Sequence, residues 1–219
     1  MPDASAKPYK GHGMEGFVAT LYARQAGHDR EELRQTARRI AVRLNPGSRV
    51  LEIAPGPGLL AIELAELTGG RVTGLDISHS FVQIASDNAR RAGVEVDFEH
   101  GDAADLPFPD DQFDFIVCRA AFKNFSRPLV ALNEMHRVLK TGGAALIIDL
   151  RKDYSSRAVA DYFKNRGFFT AAMIKLTFRL MLRKRAYTKE SMTELVSQSQ
   201  FGQGELHLDP IGFELTLRK

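Results

Sequence analysis

Cysteine and tryptophan are nearly missing from this chain of 219 residues, which has one cysteine, Cys118, and no tryptophan. A single cysteine excludes an internal disulfide and a cysteine-rich zinc site, and it predicts no metal centre and a reducing, cytoplasmic environment. The chain also lacks a long apolar run. Its first residues carry no apolar signal-peptide core, and the longest apolar stretch, residues 168–182, is interrupted by Lys175 and Arg179. Neither a signal peptide nor a membrane span is therefore predicted.

The composition, 44% hydrophobic and 26% charged, is that of an ordinary globular protein. The length suits one α/β domain over residues 1–219 and is rather short for two. The net charge of +3 is unevenly spread, because residues 151–187 hold ten Lys and Arg against two Asp, a local +8 that leaves −5 elsewhere. Such a block indicates an anionic partner, a membrane surface or a solvated helix face more than nucleic-acid binding.

Helix-period segments and short apolar runs alternate between residues 49 and 150, which predicts a parallel sheet with crossover helices. The predicted strands are residues 49–54, 71–76, 94–98, 113–118 and 144–150, followed by a terminal antiparallel pair at 205–208 and 213–217. Ser78 or Ser80 should cap the helix after the second strand, and Ser126 the helix before the fifth. Four segments follow along the chain: N-terminal helices (1–45), a core (46–150), an inserted helical segment (151–187), and a last helix with its hairpin (188–219).

Residues 50–58, Val-Leu-Glu-Ile-Ala-Pro-Gly-Pro-Gly, are the most informative stretch. They predict a strand, a tight turn and a helix start, where backbone can approach a nucleotide closely. Gly56 and Gly58 also fit the nicotinamide fingerprint, with Asp76 near the distance expected for its ribose-binding acid. Glu52 favours a different ligand. A dinucleotide site needs a bare helix N-terminus for its pyrophosphate, whereas a carboxylate suits a ligand carrying positive charge.

Three later stretches add specificity that a nicotinamide enzyme is not expected to share. They are Gly101-Asp102-Ala103, residues 106–114 and residues 134–143. Together with the glycine motif and Asp76, they resemble the motifs of class I S-adenosylmethionine-dependent methyltransferases. The resemblance is strong over residues 45–150 and loose over the terminal hairpin. It implies a doubly wound, Rossmann-like α/β fold, with a mostly parallel seven-stranded sheet, a C-terminal antiparallel hairpin and helices on both faces.

The resemblance also implies S-adenosylmethionine as cofactor. Asp76 would bind the ribose hydroxyls, Asp102 the adenine amino group and the Ala103 backbone the adenine ring, while Glu52 would lie near the cationic amino group. The residues expected at the cofactor are Glu52, Ala54, Gly56, Gly58, Asp76, Ile77, Asp102, Ala103 and Arg119. Ala54 stands where the family usually has its first glycine, a departure that we expect to cost little because alanine has the smallest side chain.

Residues 118–125 follow the fourth strand, where this fold places groups that face the acceptor. They lack the Asn/Asp-Pro-Pro-aromatic motif of enzymes that methylate nucleic-acid bases. The Lys123-Asn124 pair is instead similar to ubiquinone/menaquinone C-methyltransferases and their small-molecule relatives. This likeness implies a small, apolar or aromatic acceptor, phenolic or quinol-like. The alternative is a cofactor-binding protein without transferase activity that acts through an interaction or membrane-surface helix.

No catalytic residue is assigned, because alignment of the reactants could suffice without a general base. Candidate bases are Tyr9, His12, Tyr22, His79 and Asp149. Lys123 could hold an acidic or phenolate acceptor, although an exposed lysine is the default interpretation. The amphipathic insert, residues 151–187, is predicted to form a lid, with packing on its own domain, a dimer face or a membrane-surface helix as alternatives. The chain is expected to be a monomer or a homodimer.

Overall fold

The computed structural model describes residues 14–26, 30–154, 157 and 185–219. The strands are β1 (Arg49–Ile53), β2 (Arg71–Asp76), β3 (Asp97–His100), β4 (Phe113–Arg119), β5 (Leu139–Leu150), β6 (Glu205–Leu208) and β7 (Gly212–Arg218). The helices are α1 (Gly16–Ala26), α2 (Arg30–Ala41), α3 (Leu59–Thr68), α4 (His79–Ala92), α5 (Pro128–Val138) and α6 (Lys189–Ser197), with a 3-10 turn at Phe122–Asn124.

The seven strands form one sheet in the order β3-β2-β1-β4-β5-β7-β6. Strands β1 to β5 are parallel, and β7 pairs antiparallel with both β5 and β6. Helices cover both faces. Apolar residues of α5 and α6 lie in one buried cluster with the sheet, and those of α2 and α3 lie in another. The predicted fold class and the terminal antiparallel pairing are therefore confirmed.

Two strand boundaries differ from the sequence prediction. The third strand was expected at residues 94–98 but lies at Asp97–His100. It is an edge strand whose residues are exposed or half-buried, so an apolar run does not mark it. The fifth strand was expected at residues 144–150 but begins earlier, at Leu139.

Helix caps follow the prediction in one case and not in the other. Ser78 caps α4, since its hydroxyl accepts a hydrogen bond from Phe81 N at 3.1 Å. Ser126 does not cap α5: the helix begins at Pro128, and Arg127, which precedes it, makes no side-chain capping hydrogen bond. Proline at the first position needs no donor, so the helix start is fixed by backbone geometry instead.

The predicted insert is described only at residues 151–154, 157 and 185–187. The rest of it lies outside the described residues, as do Tyr9 and His12. Cys118 is fully buried within β4, as its apolar neighbours indicated. None of the helices in the described part of the chain combines the length and apolar character that crossing a bilayer requires.

Candidate cofactor and acceptor site

Three carboxylates meet along one edge of the sheet. Glu52 lies on β1, Asp76 ends β2, and Asp102 follows β3 by two residues. Because these strands are parallel, their carboxyl ends share an edge, which is where open α/β sheets bind ligands. All three residues line a single cavity of about 680 Å³. The structure therefore brings together the acids that the sequence motifs singled out.

Glu52 is almost completely buried, with 3% of its surface exposed. The backbone N–H of Ala61, in the first turn of α3, donates a hydrogen bond to its carboxylate. The other oxygen, Oε2, accepts no hydrogen bond from any described residue. Burial raises the pKa of Glu52 to about 8, and Asp76 adds to the rise, while the Ala61 N–H and the charge of Arg119 oppose it.

A buried carboxylate with an unsatisfied oxygen is costly unless a ligand completes it. Glu52 Oε2 therefore fits a cationic group, such as the amino group of S-adenosylmethionine. The same side chain lies against a free backbone N–H at the start of α3, the position where a dinucleotide would place its pyrophosphate. The geometry favours a positively charged ligand over a nicotinamide dinucleotide.

Asp76 is held in place by two backbone donors. Gly56 N donates to Oδ2 at 3.0 Å, and Ser78 N donates to Oδ1 at 2.9 Å. Each carboxylate oxygen has a second lone pair, so Asp76 can still accept one hydrogen bond from each of two hydroxyls. Burial raises the pKa of Asp76 above its ordinary value. This arrangement suits a ribose.

Asp102 is more exposed and is already paired. Its Oδ1 accepts from Ala104 N at 2.9 Å, and its Oδ2 forms an ion pair with Arg127 at 2.9 Å. Ile77 and Ala103 line the cavity beside it, and the Ile77 side chain remains 44% exposed. These groups offer an apolar surface and one edge acceptor, which is what a purine ring requires.

The glycine turn between β1 and α3 has a left-handed backbone at three positions. Gly56 and Gly58 have φ of 54° and 75°, and a Cβ on Gly58 would come within 2.6 Å of the Phe98 ring. Ala54 also has positive φ, 56°. Our expectation that Ala54 costs little considered only side-chain size and was wrong, because an L-residue in this conformation costs about 1–2 kcal/mol.

We expect Ala54→Gly to raise the free energy of unfolding by about 0.5–1 kcal/mol, because relief of the left-handed strain exceeds the added entropy of the unfolded chain. Urea unfolding of the ligand-free protein measures this change. Ala145→Gly, in the buried middle of β5, is the control and should destabilise. A destabilised Ala54→Gly variant would show that the conformation at this position is not strained.

Helices ahead of the sheet complete the cavity, and of their cavity-lining residues the sequence analysis had named only Tyr22. Met14 and Tyr22, before and within α1, and Leu33 of α2 line it. Arg119, predicted at the cofactor, lines it from the end of β4 and forms an ion pair with Glu32 of α2 at 2.7 Å. No local pattern in residues 14–44 distinguishes a cavity-lining side chain from an ordinary exposed one.

Lys123 and Asp149 form a buried ion pair, Nζ to Oδ1 at 2.8 Å, with 3% and 1% of their side chains exposed. The default interpretation of Lys123 as an exposed lysine is therefore wrong. Lys123 lines the cavity, whereas Asp149 does not. Because Asp149 already accepts several hydrogen bonds, it is poorly placed to take a proton from an acceptor.

His79, another candidate base, is not part of the cavity lining. Its ring stacks on His100, with centroids 3.6 Å apart and planes 7° from parallel. Among the candidates that the structure describes, only Tyr22 and Lys123 reach the cavity wall. Within the described ranges, no group of three or more His, Cys, Asp and Glu side chains is arranged to hold a metal ion.

Comparison with known proteins agrees with this site. Residues 51–147 match the family described as methyltransferase domain. A 2-phytyl-1,4-naphtoquinone methyltransferase of Synechococcus elongatus is 40% identical over 114 residues, 50% of this chain and 49% of that protein. A demethylmenaquinone methyltransferase of Chlorobaculum parvum is 29% identical over 177 residues, 77% of this chain and 71% of that protein. The chain thus spans about half the length of the first of these relatives.

A solved structure supports the fold. A putative S-adenosylmethionine-dependent methyltransferase from Methanococcus maripaludis superposes with a TM-score of 0.77, covers 97% of each chain and is 20% identical. The matched residues include the glycine turn and the three acids. Residues 51–147 of this chain therefore match a methyltransferase domain, and the chain is similar in sequence to quinone methyltransferases.

Proposed function

We propose that this chain is an enzyme that transfers a methyl group from S-adenosylmethionine to a small aromatic acceptor of the quinol class. The observation that carries the proposal is the single cavity that joins the unsatisfied Glu52 carboxylate and the Asp76 carboxylate to a largely apolar wall after β4. A charged cofactor and an apolar acceptor could therefore lie side by side.

The wall beyond the cofactor acids suits a flat ring. Its small and apolar residues are Ala120, Ala121, Phe125, Ala131 and Leu150, and at its margin are the basic residues Lys123, Arg127 and Arg185. Asn124 and Ser126 supply a few polar groups that could orient ring oxygens. Such a surface, mostly apolar with a few polar groups, is typical of small-molecule sites. The relatives named for naphthoquinone and demethylmenaquinone methylation support an acceptor of this type.

When bound, S-adenosylmethionine supplies a methyl group already activated by its sulfonium. The residues of the chain then have to bind, align and exclude water. We assign the binding of cofactor to Glu52, Asp76 and Asp102, with Ile77, Ala103 and Arg119 beside them. We assign no general base. His79 lies outside the cavity lining and Asp149 is paired with Lys123, while Tyr22 lines the cavity and remains a candidate.

The direct test is incubation of the purified chain with labelled S-adenosylmethionine and reduced 2-phytyl-1,4-naphthoquinone. We expect label in the organic phase and a product heavier by one methylene unit, both strongly reduced by Asp76→Ala when the cofactor concentration is limiting. Catechol and a small carboxylic acid serve as acceptor controls and should be poor substrates. No labelled product from any acceptor, with cofactor binding confirmed by calorimetry, would favour the alternative of a cofactor-binding protein without transferase activity.

Several sequence predictions belong with this proposal. We propose that residues 1–219 act as one domain, in the cytoplasm, as a monomer or homodimer, with a small molecule and no nucleic acid as the partner. Residues 151–187 remain a predicted lid over the acceptor, with membrane-surface binding as the less favoured alternative. Hydrogen exchange with and without cofactor and acceptor would distinguish a closing lid from static packing.

A further inference from the structure

The loop between β4 and α5, residues 120–126, forms the acceptor side of the cavity. Six of its seven residues line the cavity: Ala120, Ala121, Lys123, Asn124, Phe125 and Ser126. In the sheet order β3-β2-β1-β4-β5, the cofactor acids belong to β1, β2 and the end of β3, whereas this loop follows β4. The loop therefore borders the cavity from a strand that carries none of the three acids, where the proposed function puts the acceptor, although Arg127, directly after the loop, pairs with Asp102.

Asp149, at the end of β5, forms hydrogen bonds with this loop. Its Oδ2 accepts a hydrogen bond from Lys123 N at 2.8 Å, and its Oδ1 accepts from Lys123 Nζ at 2.8 Å. Leu150 N donates to the same Oδ1 at 2.7 Å, which fixes the carboxylate to its own strand. The buried Asp149 side chain thus hydrogen-bonds both the backbone N–H and the side-chain ammonium of Lys123.

The ammonium of Lys123 also contacts the start of the loop, so the ion pair constrains the backbone there. Its Nζ also donates to the carbonyl oxygen of Ala120. Ala120 has a left-handed backbone, with φ of 60°, and its N–H donates to Ile148 O at 2.7 Å. The fully buried ring of Phe122 anchors the middle of the loop. The left-handed turn that ends β4 is therefore secured by the ion pair.

Stability alone does not explain a charged pair at this depth. Replacing a buried ion pair by apolar side chains of similar size is often neutral or stabilising, because the charges no longer have to be desolvated. What an apolar pair cannot reproduce is the set of hydrogen bonds to Lys123 N and to the Ala120 carbonyl. The pair thus contributes defined loop geometry.

We propose that Asp149 is a positioning residue for the acceptor: through Lys123 it fixes residues 120–126 so that the acceptor meets the cofactor in a reactive orientation. The inference rests on the proposed function for the class of acceptor. In this proposal Asp149 and the Lys123 ammonium hold the loop in place, and neither removes a proton from the acceptor.

The test replaces the pair by an apolar one, Lys123→Met with Asp149→Leu. With reduced 2-phytyl-1,4-naphthoquinone as the probe, we expect kcat to fall at least about tenfold, a typical result of imperfect alignment. The affinity for S-adenosylhomocysteine should stay within about twofold, as expected for an interaction made only with the acceptor side. Lys123→Arg, which keeps the charge and the donors, should retain more activity than the apolar pair.

The chain offers a matched control at the opposite end of the same strands. Lys140 Nζ and Asp114 Oδ1 are also 2.8 Å apart, and Asp114 also accepts a backbone N–H, that of Arg49, at 2.8 Å. Neither residue lines the cavity. Lys140→Met with Asp114→Leu should therefore leave kcat and KM for the acceptor unchanged. Unchanged kcat in the Lys123/Asp149 variant, or equal losses in acceptor turnover and cofactor affinity, would overturn the inference.

A second readout needs no acceptor and separates this inference from the proposed function. Amide hydrogen exchange of residues 120–126 in the S-adenosylhomocysteine complex should become at least about tenfold faster in the Lys123/Asp149 variant, with β1 and β2 unaffected. Unchanged exchange in the loop would refute the positioning role. If the unmodified chain methylates no quinol, the proposed function fails, and the exchange experiment alone then decides the role of Asp149.

Discussion

Replacing Glu52 with Gln should weaken S-adenosylmethionine binding by about 10- to 100-fold, or about 1.5–3 kcal/mol, the scale of a hydrogen bond to a charged group. The reason is the buried Oε2 atom, which no described residue satisfies and which a cationic amino group would complete. Glutamine has nearly the same shape as glutamate and can still accept a hydrogen bond from the Ala61 N–H. The loss of affinity therefore measures the contribution of the negative charge.

The same substitution should remove a proton-linked effect. Because the pKa of Glu52 is raised to about 8, the ligand-free protein carries a proton there at pH 7. A cationic ligand favours the carboxylate, so binding should release about one proton. Calorimetry in buffers of different ionisation enthalpy measures this release, which Glu52→Gln should abolish.

Stability of the ligand-free protein should follow the same logic. The unfolded chain loses the Glu52 proton near its ordinary pKa of 4.5, whereas the folded protein keeps it to about pH 8. Between these values the unfolded state binds fewer protons, so the free energy of unfolding falls as pH rises, by up to about 1.4 kcal/mol per pH unit. Burial of Asp76 raises its pKa also and adds to the slope. Glu52→Gln should reduce the dependence of the free energy of unfolding on pH.

Two controls make the Glu52 result specific. The ligand 5′-methylthioadenosine lacks the amino group and should bind equally well before and after the substitution. Glu63 is a buried acid of α3 that pairs with Arg34 and lies outside the cavity lining, so Glu63→Gln should leave cofactor affinity unchanged. Equal weakening for both ligands would indicate that Glu52 only supports the local fold.

The Asp76→Ala substitution should also weaken cofactor binding by about 1.5–3 kcal/mol, through loss of the two acceptors available to the ribose hydroxyls. Its structural effect should be larger than that of Glu52→Gln, because the Gly56 and Ser78 N–H groups lose their acceptor. Calorimetry with S-adenosylhomocysteine measures the affinity, and urea unfolding measures the structural cost.

Comparison of two further variants separates these effects. Asp76→Asn keeps one acceptor oxygen, so its affinity for the cofactor should lie between those of the wild-type protein and Asp76→Ala. Asp87, an acid of α4 paired with Arg90 and away from the cavity lining, is the control, and Asp87→Ala should bind normally. Unchanged affinity in Asp76→Ala, or tighter binding of NAD than of S-adenosylhomocysteine by the wild-type protein, would contradict the assignment of this site.

Short-range pattern was enough to predict that the glycine turn and the three acids share one edge of the sheet. The strand, the glycine turn and the helix of residues 49–68 are consecutive, so their geometry is encoded in neighbouring residues. Glu52, Asp76 and Asp102 could be assigned to one edge because parallel strands with helical crossovers must end on the same side. A residue's place along its own strand determined these predictions, and the sequence contains that information directly.

Edge strands and strained backbone escaped the same reasoning. The edge strand β3 has no buried run to mark it. The size of alanine does not reveal that residue 54 has positive φ, which the turn between β1 and α3 imposes. In both cases the deciding factor is the position of other elements, not the residue type.

The sequence by itself determined the fold class, the glycine turn and the set of acids, because these follow from local periodicity and from the order of strands along the chain. Only the tertiary structure decided the surroundings of Lys123. Lys123 is buried because Asp149, 26 residues away, meets it between β4 and β5. Contacts between distant residues depend on how strands are aligned in the sheet, and single-sequence patterns do not specify that alignment.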